Sequence, residues 1–150
     1  HLCISVESVL ILSDRYLAEH LRLKKISTHL PTEDHSMTRG RVVLVPFPFD
    51  DLSTAKVRPA VCLTDPIGPH RHVILAFITS RIPTDLLESD LVLDSSQTNF
   101  ATIGLRVSST LRLHRPMTVT TALIRRELGE LSPRMQAEVA DKLRKLFGLS

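Results

Sequence analysis

Two blocks of the chain decide the fold: GRVVLVPFPF at residues 40–49 and KVRPAV at residues 56–61. Residues 41–45 are mostly β-branched and apolar, which favours a strand, and Pro46 is expected to end it because proline cannot donate to a strand ladder. Residues 47–56 contain the Asp, Ser and Pro that are typical of turns. A second strand is predicted over residues 57–64. The two blocks therefore predict two strands joined by a loop.

The remainder of the chain continues this pattern and ends in a helix. Further strands are predicted at residues 72–79, 90–94 and 108–114, whereas residues 119–128 are ambiguous between a turn with a short strand and a short helix. Ser132 is a good N-cap, and Pro133 suits the first helical position. A helix over residues 133–147 is then indicated by the helical spacing of four apolar residues, Met135, Val139, Leu143 and Leu146. We expect a mainly β fold with a C-terminal helix (α+β), rolled into a small barrel.

Composition limits the classes of function. The chain has 150 residues, a formal net charge of +3 and only one tyrosine with no tryptophan. A mildly basic protein suits an anionic partner, but so few aromatic rings argue against a base-stacking platform. Cys3 and Cys62 lie far apart, which predicts neither a disulfide framework nor a metal knuckle and makes a reduced, cytoplasmic setting the default. No apolar run approaches the ~18 residues that span a membrane, so no membrane partner is expected.

The chain is predicted to divide near Met37. Residues 29–36 are polar and read as a linker, and the basic excess of the chain lies entirely in residues 37–150. Residues 1–36 are interpreted as an N-terminal extension or leader outside the core, with a helix over about residues 8–25 as one option. A fused inhibitory segment is the alternative. The functional domain is expected to be residues 37–150.

The two opening blocks closely resemble the start of toxins of the MazF/PemK family. The likeness continues through ITS at 78–80, GL at 104–105, SS at 108–109, LRL at 111–113 and LGELS at 128–132. It covers residues 38–149, and residues 1–36 have no counterpart. A motif gains weight when its surroundings also match, as they do for the Arg-Pro pair of the second block.

This resemblance implies an SH3-like barrel or curved antiparallel sheet of the MazF/PemK/CcdB type. It also implies a homodimer that cleaves single-stranded RNA at preferred sequences and is inhibited by a cognate antitoxin with an acidic C-terminal tail. The family's catalytic arginine and threonine fall on Arg58 and Thr79. The substrate-binding positions that we assign with them are Ser53, Lys56, Ser80 and Arg112.

The chemistry of RNA cleavage is consistent with those residue types. RNA carries its own nucleophile, the 2′-hydroxyl, so an enzyme must hold it in line with the phosphate and stabilise the added charge. A guanidinium such as that of Arg58 binds phosphate bidentately, and a hydroxyl such as that of Thr79 can donate one further hydrogen bond. Arginine holds its proton too tightly to be an ordinary general base. The acceptor of the 2′-hydroxyl proton is therefore left open; His114 is a candidate proton carrier or else a partly exposed strand residue.

No metal or other cofactor is expected. His70 and His72 would share one face of a strand, but a zinc site needs a third ligand and none is near them in the sequence. Four arginines could extend a basic face toward phosphates or could simply be solvated charges: Arg112, Arg115, Arg125 and Arg126.

Two other functions remain open on the sequence. A CcdB-like toxin would use the same fold to bind DNA gyrase without catalysis, because fold alone does not define function. Such proteins are not expected to carry both the Arg-Pro pair and the strand-end threonine. A plain SH3-like binding module usually has an aromatic-lined groove, which the scarcity of aromatic residues disfavours.

Overall fold

The computed structural model describes residues 38–47 and 56–149. Within these residues there are six strands and two helices: β1 (Arg41–Phe47), β2 (Lys56–Cys62), β3 (His72–Thr79), β4 (Asp90–Leu93), α1 (Phe100–Ile103), β5 (Ser109–Thr120), β6 (Arg126–Glu130) and α2 (Pro133–Leu146). The predicted helix over residues 8–25, the linker at 29–36 and residues 48–55 of the first loop lie outside the described residues. No helix within the described ranges is both long and apolar enough to cross a membrane.

The six strands form one antiparallel sheet in the order β4-β5-β3-β2-β1-β6. In a flat sheet, β5 and β6 would lie four strand spacings apart, roughly 19 Å. Only residues 121–125 connect them, and the first three form a 3₁₀ turn. The six steps from Thr120 to Arg126 therefore reach only about 16 Å, at about 2 Å per 3₁₀ residue and about 3.3 Å per extended residue. The Thr121 amide bonds to the Arg71 carbonyl at 3.0 Å and the Arg125 amide to the Leu44 carbonyl at 2.9 Å. The sheet is therefore curled into a half-barrel, and the predicted fold class is confirmed.

Several element bounds differ from the predictions made from the sequence. Strand β5 runs to Thr120 rather than ending at residue 114, and β2 ends at Cys62 rather than at residue 64. The ambiguous residues 119–128 form the end of β5, the 3₁₀ turn at Thr121–Leu123 and the start of β6. Helix α1 was not predicted, because a single turn of four residues is too short to show helical periodicity.

Side chains alternate between two hydrophobic cores on opposite faces of the sheet, as expected for extended strands. Along β1, Val42 packs in the core that also contains Met135 and Val139 of α2. Its neighbours Val43 and Val45 lie in the second core, within the curl. Cys62 also belongs to this second core, where its burial and the nearby Glu127 raise the pKa of its thiol to about 11. A thiol in that state stays protonated and unreactive at neutral pH.

The C-terminal helix begins as its sequence predicts. The hydroxyl of Ser132 accepts a hydrogen bond from the Met135 amide at 3.2 Å, and Pro133 occupies the first turn. Two glycines allow α1 and β6 to approach closely before the helix: a β-carbon on Gly129 would overlap the carbonyl of Thr102, and one on Gly104 would overlap that of Leu128. Gly104 also has a φ of 79°, which side chains with a β-carbon rarely adopt. The LGELS block thus has a packing role.

The pairing of β3 with β5 is irregular next to the candidate site. Ala76 pairs with Pro116 and Ile78 with Leu111, so the four residues 112–115 of β5 lie opposite the single residue Phe77. Extra residues in one strand bend it and re-aim its side chains, as in a β-bulge. This bend gathers the polar residues of β5 beside the end of β3.

Candidate active site

Arg58 lies on β2 and is held against an aromatic pair. Its guanidinium carbon is 4.8 Å from the centroid of the Phe47 ring, close enough for a cation–π contact. The Phe47 ring in turn meets Phe77 edge to face, with 4.7 Å between ring centroids. Arg58 is half-buried. These contacts restrict a long side chain, so less conformational entropy is lost when it binds an anion.

Thr79 is the last residue of β3, paired across the sheet with Thr110 of β5. Its hydroxyl oxygen accepts a hydrogen bond from the Arg81 amide at 3.2 Å. A hydroxyl that accepts from the backbone still has its own proton to donate. The side chain is half-buried, so that proton can be offered to a ligand.

Arg58 and Thr79 line the same depression, which we call the main cleft and which has a volume of about 800 Å³. Two further sequence-predicted residues, Lys56 and Ser80, line it as well. Arg81 and Arg106 add two more cations, and no Asp or Glu is among the lining residues that the structure describes. Such a cleft has a positive electrostatic potential and suits a polyanion.

A second depression of about 420 Å³, the side cleft, shares Arg58, Ile78 and Thr79 with the main cleft. It is also lined by Arg112, His114 and Arg115 from the bent part of β5. The predicted residue Arg112 therefore lines the side cleft with Arg58 and Thr79 and is not among the main-cleft residues.

Asp90, the first residue of β4, lies against two of these side-cleft residues, Arg112 and His114. Its side chain is fully buried; Oδ1 accepts a hydrogen bond from Arg112 Nε at 3.1 Å, and Oδ2 accepts one from the Leu87 amide at 3.0 Å. His114 Nδ1 lies 3.8 Å from the same Oδ1. A buried carboxylate needs such partners, because an unpaired one would be strongly penalised.

The remaining predicted residues fall elsewhere. Ser53 lies outside the described residues. Arg125 and Arg126 are exposed and line neither cleft, whereas Arg115 lines the side cleft. His70 and His72 have ring centroids 5.9 Å apart, but no group of three or more His, Cys, Asp or Glu suited to a metal occurs within residues 38–47 and 56–149.

Sequence reasoning missed four residues of this region: Phe77, Arg81, Asp90 and Arg106. Arg81 follows the ITS block directly, and Arg106 follows the GL block, so both adjoin residues that carried the resemblance. Asp90 and Phe77 gave no comparable signal, since their contacts reach across strands that are distant in the sequence.

Comparison with known proteins shows the family to which this protein belongs. Residues 38–147 match the family described as the PemK-like, MazF-like toxin of type II toxin–antitoxin systems. Because the match covers most of the chain, the protein belongs to this family, and the resemblance seen in the sequence is confirmed. A search of curated protein sequences found no significant match.

Solved structures agree on the fold. The Mycobacterium tuberculosis toxin MazF-mt6 has 21% identity and a TM-score of 0.57, with 73% of this chain and 98% of that one covered. A MazE-MazF structure from Deinococcus radiodurans has 20% identity and a TM-score of 0.57, covering 78% and 100%. An endoribonuclease in complex with its cognate antitoxin from a mycobacterial species has 17% identity and a TM-score of 0.54, covering 75% and 96%.

Proposed function

We propose that this toxin is a metal-independent endoribonuclease that cleaves single-stranded RNA, including mRNA, at preferred sequences. Cleavage in the cytoplasm would inhibit translation and growth. The observation that carries the proposal is the meeting of Arg58 and Thr79 in one cation-rich cleft. The mycobacterial structure described as an endoribonuclease supports the same reaction on this fold.

In this proposal the RNA supplies the nucleophile. Its 2′-hydroxyl attacks the adjacent phosphorus, the bond to the 5′-oxygen breaks, and the upstream fragment ends in a 2′,3′-cyclic phosphate. Arg58 binds two phosphate oxygens through its planar fork and stabilises the charge that develops on them. Thr79 donates a hydrogen bond to a phosphate oxygen. Both act by orienting and stabilising, which suits a reaction whose nucleophile is already part of the substrate.

The surrounding residues hold the strand. Lys56 and Ser80 lie in the main cleft and are proposed to contact phosphates or sugars on either side of the scissile bond, with Ser53 of the preceding loop as a further contact. Arg112 is proposed to act from the side cleft, with its Nε bonded to Asp90 and its terminal nitrogens directed toward substrate. Phosphate contacts of this kind give affinity with little sequence information.

A cognate antitoxin is the proposed protein partner. The structures of relatives bound to antitoxins support this proposal. An acidic C-terminal tail would fit the main cleft, because the described lining residues include Lys56, Arg58, Arg81 and Arg106 and no acid. Such a tail would compete with RNA for the same cations.

A direct test is incubation of the purified protein with a long natural RNA, followed by mapping of the cut positions by primer extension. We expect discrete cuts that share a short sequence. A matched reaction with the corresponding single-stranded DNA should give none. Intact RNA at all enzyme concentrations, with a folded protein, would contradict the proposal and favour a non-catalytic toxin.

We expect a two-fold homodimer. The sheet has two edge strands, β4 and β6, and small curled sheets commonly cover their edges by pairing copies. Light scattering at micromolar concentrations should give twice the mass of the chain. A single-chain mass that persists as the concentration is raised would contradict the expectation, because mass action favours the dimer.

Deleting residues 1–36 should leave the fold and the activity intact. The family match begins at Thr38, so the family's domain does not require the residues that precede it. Melting temperature and RNA cleavage rate of the shortened chain, beginning at Met37, should equal those of the full chain. A large loss of stability would show that the extension packs on the domain, and a large gain in cleavage would show that it inhibits.

A further inference from the structure

We propose that His114 accepts the proton of the 2′-hydroxyl and that the buried carboxylate of Asp90 positions it for that task. This inference rests on the proposed ribonuclease function and names the group that the reaction still lacks. Arg58 cannot fill the role, because a guanidinium keeps its proton. Threonine hydroxyls such as that of Thr79 are no better as bases.

His114 is in the right place. It lines the side cleft together with Arg58, Ile78 and Thr79. It is the one histidine among the described residues that line either cleft. A phosphate held by Arg58 and Thr79 would thus lie between the main cleft and the imidazole.

The two nitrogens of His114 have different surroundings. Nδ1 is buried without a hydrogen-bond partner and lies 3.8 Å from Asp90 Oδ1, while the side chain as a whole is 30% exposed. We place Nε2, the other ring nitrogen, toward the cleft, because His114 lines the side cleft and 30% of its side chain is exposed. A neutral imidazole with its proton on Nδ1, toward the carboxylate, leaves the Nε2 lone pair free for the cleft.

The Asp90–His114 separation is longer than a hydrogen bond, yet it suits a resting site. Contacts of catalytic groups are often long in the free enzyme and shorten when substrate binds. Asp90 itself cannot easily move, because its two oxygens are held by Arg112 Nε and the Leu87 amide. The His114 ring would therefore be the partner that moves, bringing Nδ1–H onto the carboxylate as positive charge develops.

The charged groups beside His114 are Asp90 of β4, Arg112 and Arg115 of β5, and Arg58 of β2. Arg112 is partly neutralised by its own bond to Asp90. A base that must be neutral to act makes the rate rise with pH over the range in which histidines titrate, about pH 5 to 8.

The proposed cleavage step moves one proton and exchanges one phosphorus–oxygen bond for another. The 2′-oxygen forms its bond to phosphorus as its proton passes to His114 Nε2, and the bond from phosphorus to the 5′-oxygen breaks. The leaving 5′-oxygen takes a proton from solvent. The imidazolium, stabilised by Asp90, then releases its proton to water and regains the neutral form.

The test is the pH–rate profile of single-turnover RNA cleavage for His114→Asn and His114→Ala. General-base catalysis contributes about 10²–10⁴-fold, so both variants should lose that factor in rate and also lose the rising limb of the profile. Added imidazole should restore part of the rate to His114→Ala. His70→Ala, at an exposed histidine in the turn before β3, is the matched control. It should keep the wild-type cleavage rate and the same rise of that rate with pH.

Asp90→Asn tests the positioning role. It should lower kcat by up to about 10⁴-fold, the loss seen when the carboxylate that orients a catalytic histidine is replaced by an amide. A purely structural role would instead lower the melting temperature and the amount of active enzyme without altering the pH profile of the remaining activity.

A second measurement does not depend on activity. Long-range ¹H–¹⁵N spectra of the wild-type protein should show neutral His114 protonated on Nδ1, and the opposite tautomer would overturn the proposal.

The proposal would also be overturned if His114→Asn cleaved RNA within about threefold of the wild-type rate and with the same dependence on pH, since real general bases contribute far more. That result would leave the ribonuclease function standing. Failure of the wild-type protein to cut any RNA would instead overturn both.

Discussion

Arg58→Ala should reduce RNA cleavage by about 10²–10³-fold, the usual effect of removing one preorganised charge stabiliser. The guanidinium carbon is 4.8 Å from the centroid of the Phe47 ring. Among the cationic residues that line either cleft, Arg58 is the one that lines both. The loss should appear mainly in kcat, because the interaction strengthens as charge develops on the phosphate. Single-turnover cleavage of a short RNA that contains one mapped site measures it.

Two controls sharpen this result. Arg125→Ala removes an arginine that lines neither cleft and should cleave like the wild type. Arg58→Lys keeps the charge but loses the planar fork, so we expect it to remain far below wild type. The circular dichroism spectrum of Arg58→Ala should be unchanged, because a half-buried cation–π contact contributes only about 0.5–2 kcal/mol. Near-normal cleavage by a folded Arg58→Ala protein would contradict the site assignment.

The second large effect concerns the substrate. An RNA with a single 2′-deoxy residue on the 5′ side of the scissile bond should resist cleavage by about 10⁵-fold or more, since an intramolecular nucleophile has an effective molarity of that order. Its binding should change little, because most of the affinity comes from phosphate contacts with residues such as Lys56 and Arg106.

The matched control is the same RNA with the deoxy residue placed one nucleotide downstream, where no attack is proposed. That oligonucleotide should be cut at the wild-type position and at close to the normal rate. Equal cleavage of both deoxy substrates would show that water or another nucleophile attacks the phosphate, and the roles given to Arg58 and His114 would then be wrong.

The elements that could be predicted from the sequence are those whose signals are local. The β-branched run at residues 41–45 and the Arg-Pro pair at 58–59 lie on consecutive strands that pair with each other. Each strand is indicated by its own residues. Ser132 and Pro133 mark the start of α2 because a helix cap is a contact between residues three apart in the chain. Arg58 and Thr79 meet because β2 and β3 are adjacent in both sequence and sheet.

The parts that could not be predicted depend on distant partners. Strand β5 continues past residue 114 because its second half pairs with the start of β3, which its own alternation pattern does not reveal. Asp90 is an ordinary acidic residue until β4 pairs with β5 and places it against Arg112. The bend that leaves residues 112–115 opposite Phe77 likewise arises from the pairing of two strands and not from either one.

The central claim is that this cleft cuts RNA through the substrate's own hydroxyl without a metal. No metal-ligand cluster occurs within the described ranges, 38–47 and 56–149. The most direct measurement is mass spectrometry of the upstream fragment after cleavage of a short single-site RNA in excess EDTA. We predict undiminished cleavage and a 2′,3′-cyclic phosphate, or its hydrolysed 3′-phosphate. Loss of cleavage on chelation, or an upstream fragment with a free 3′-hydroxyl and a downstream 5′-phosphate, would contradict the account.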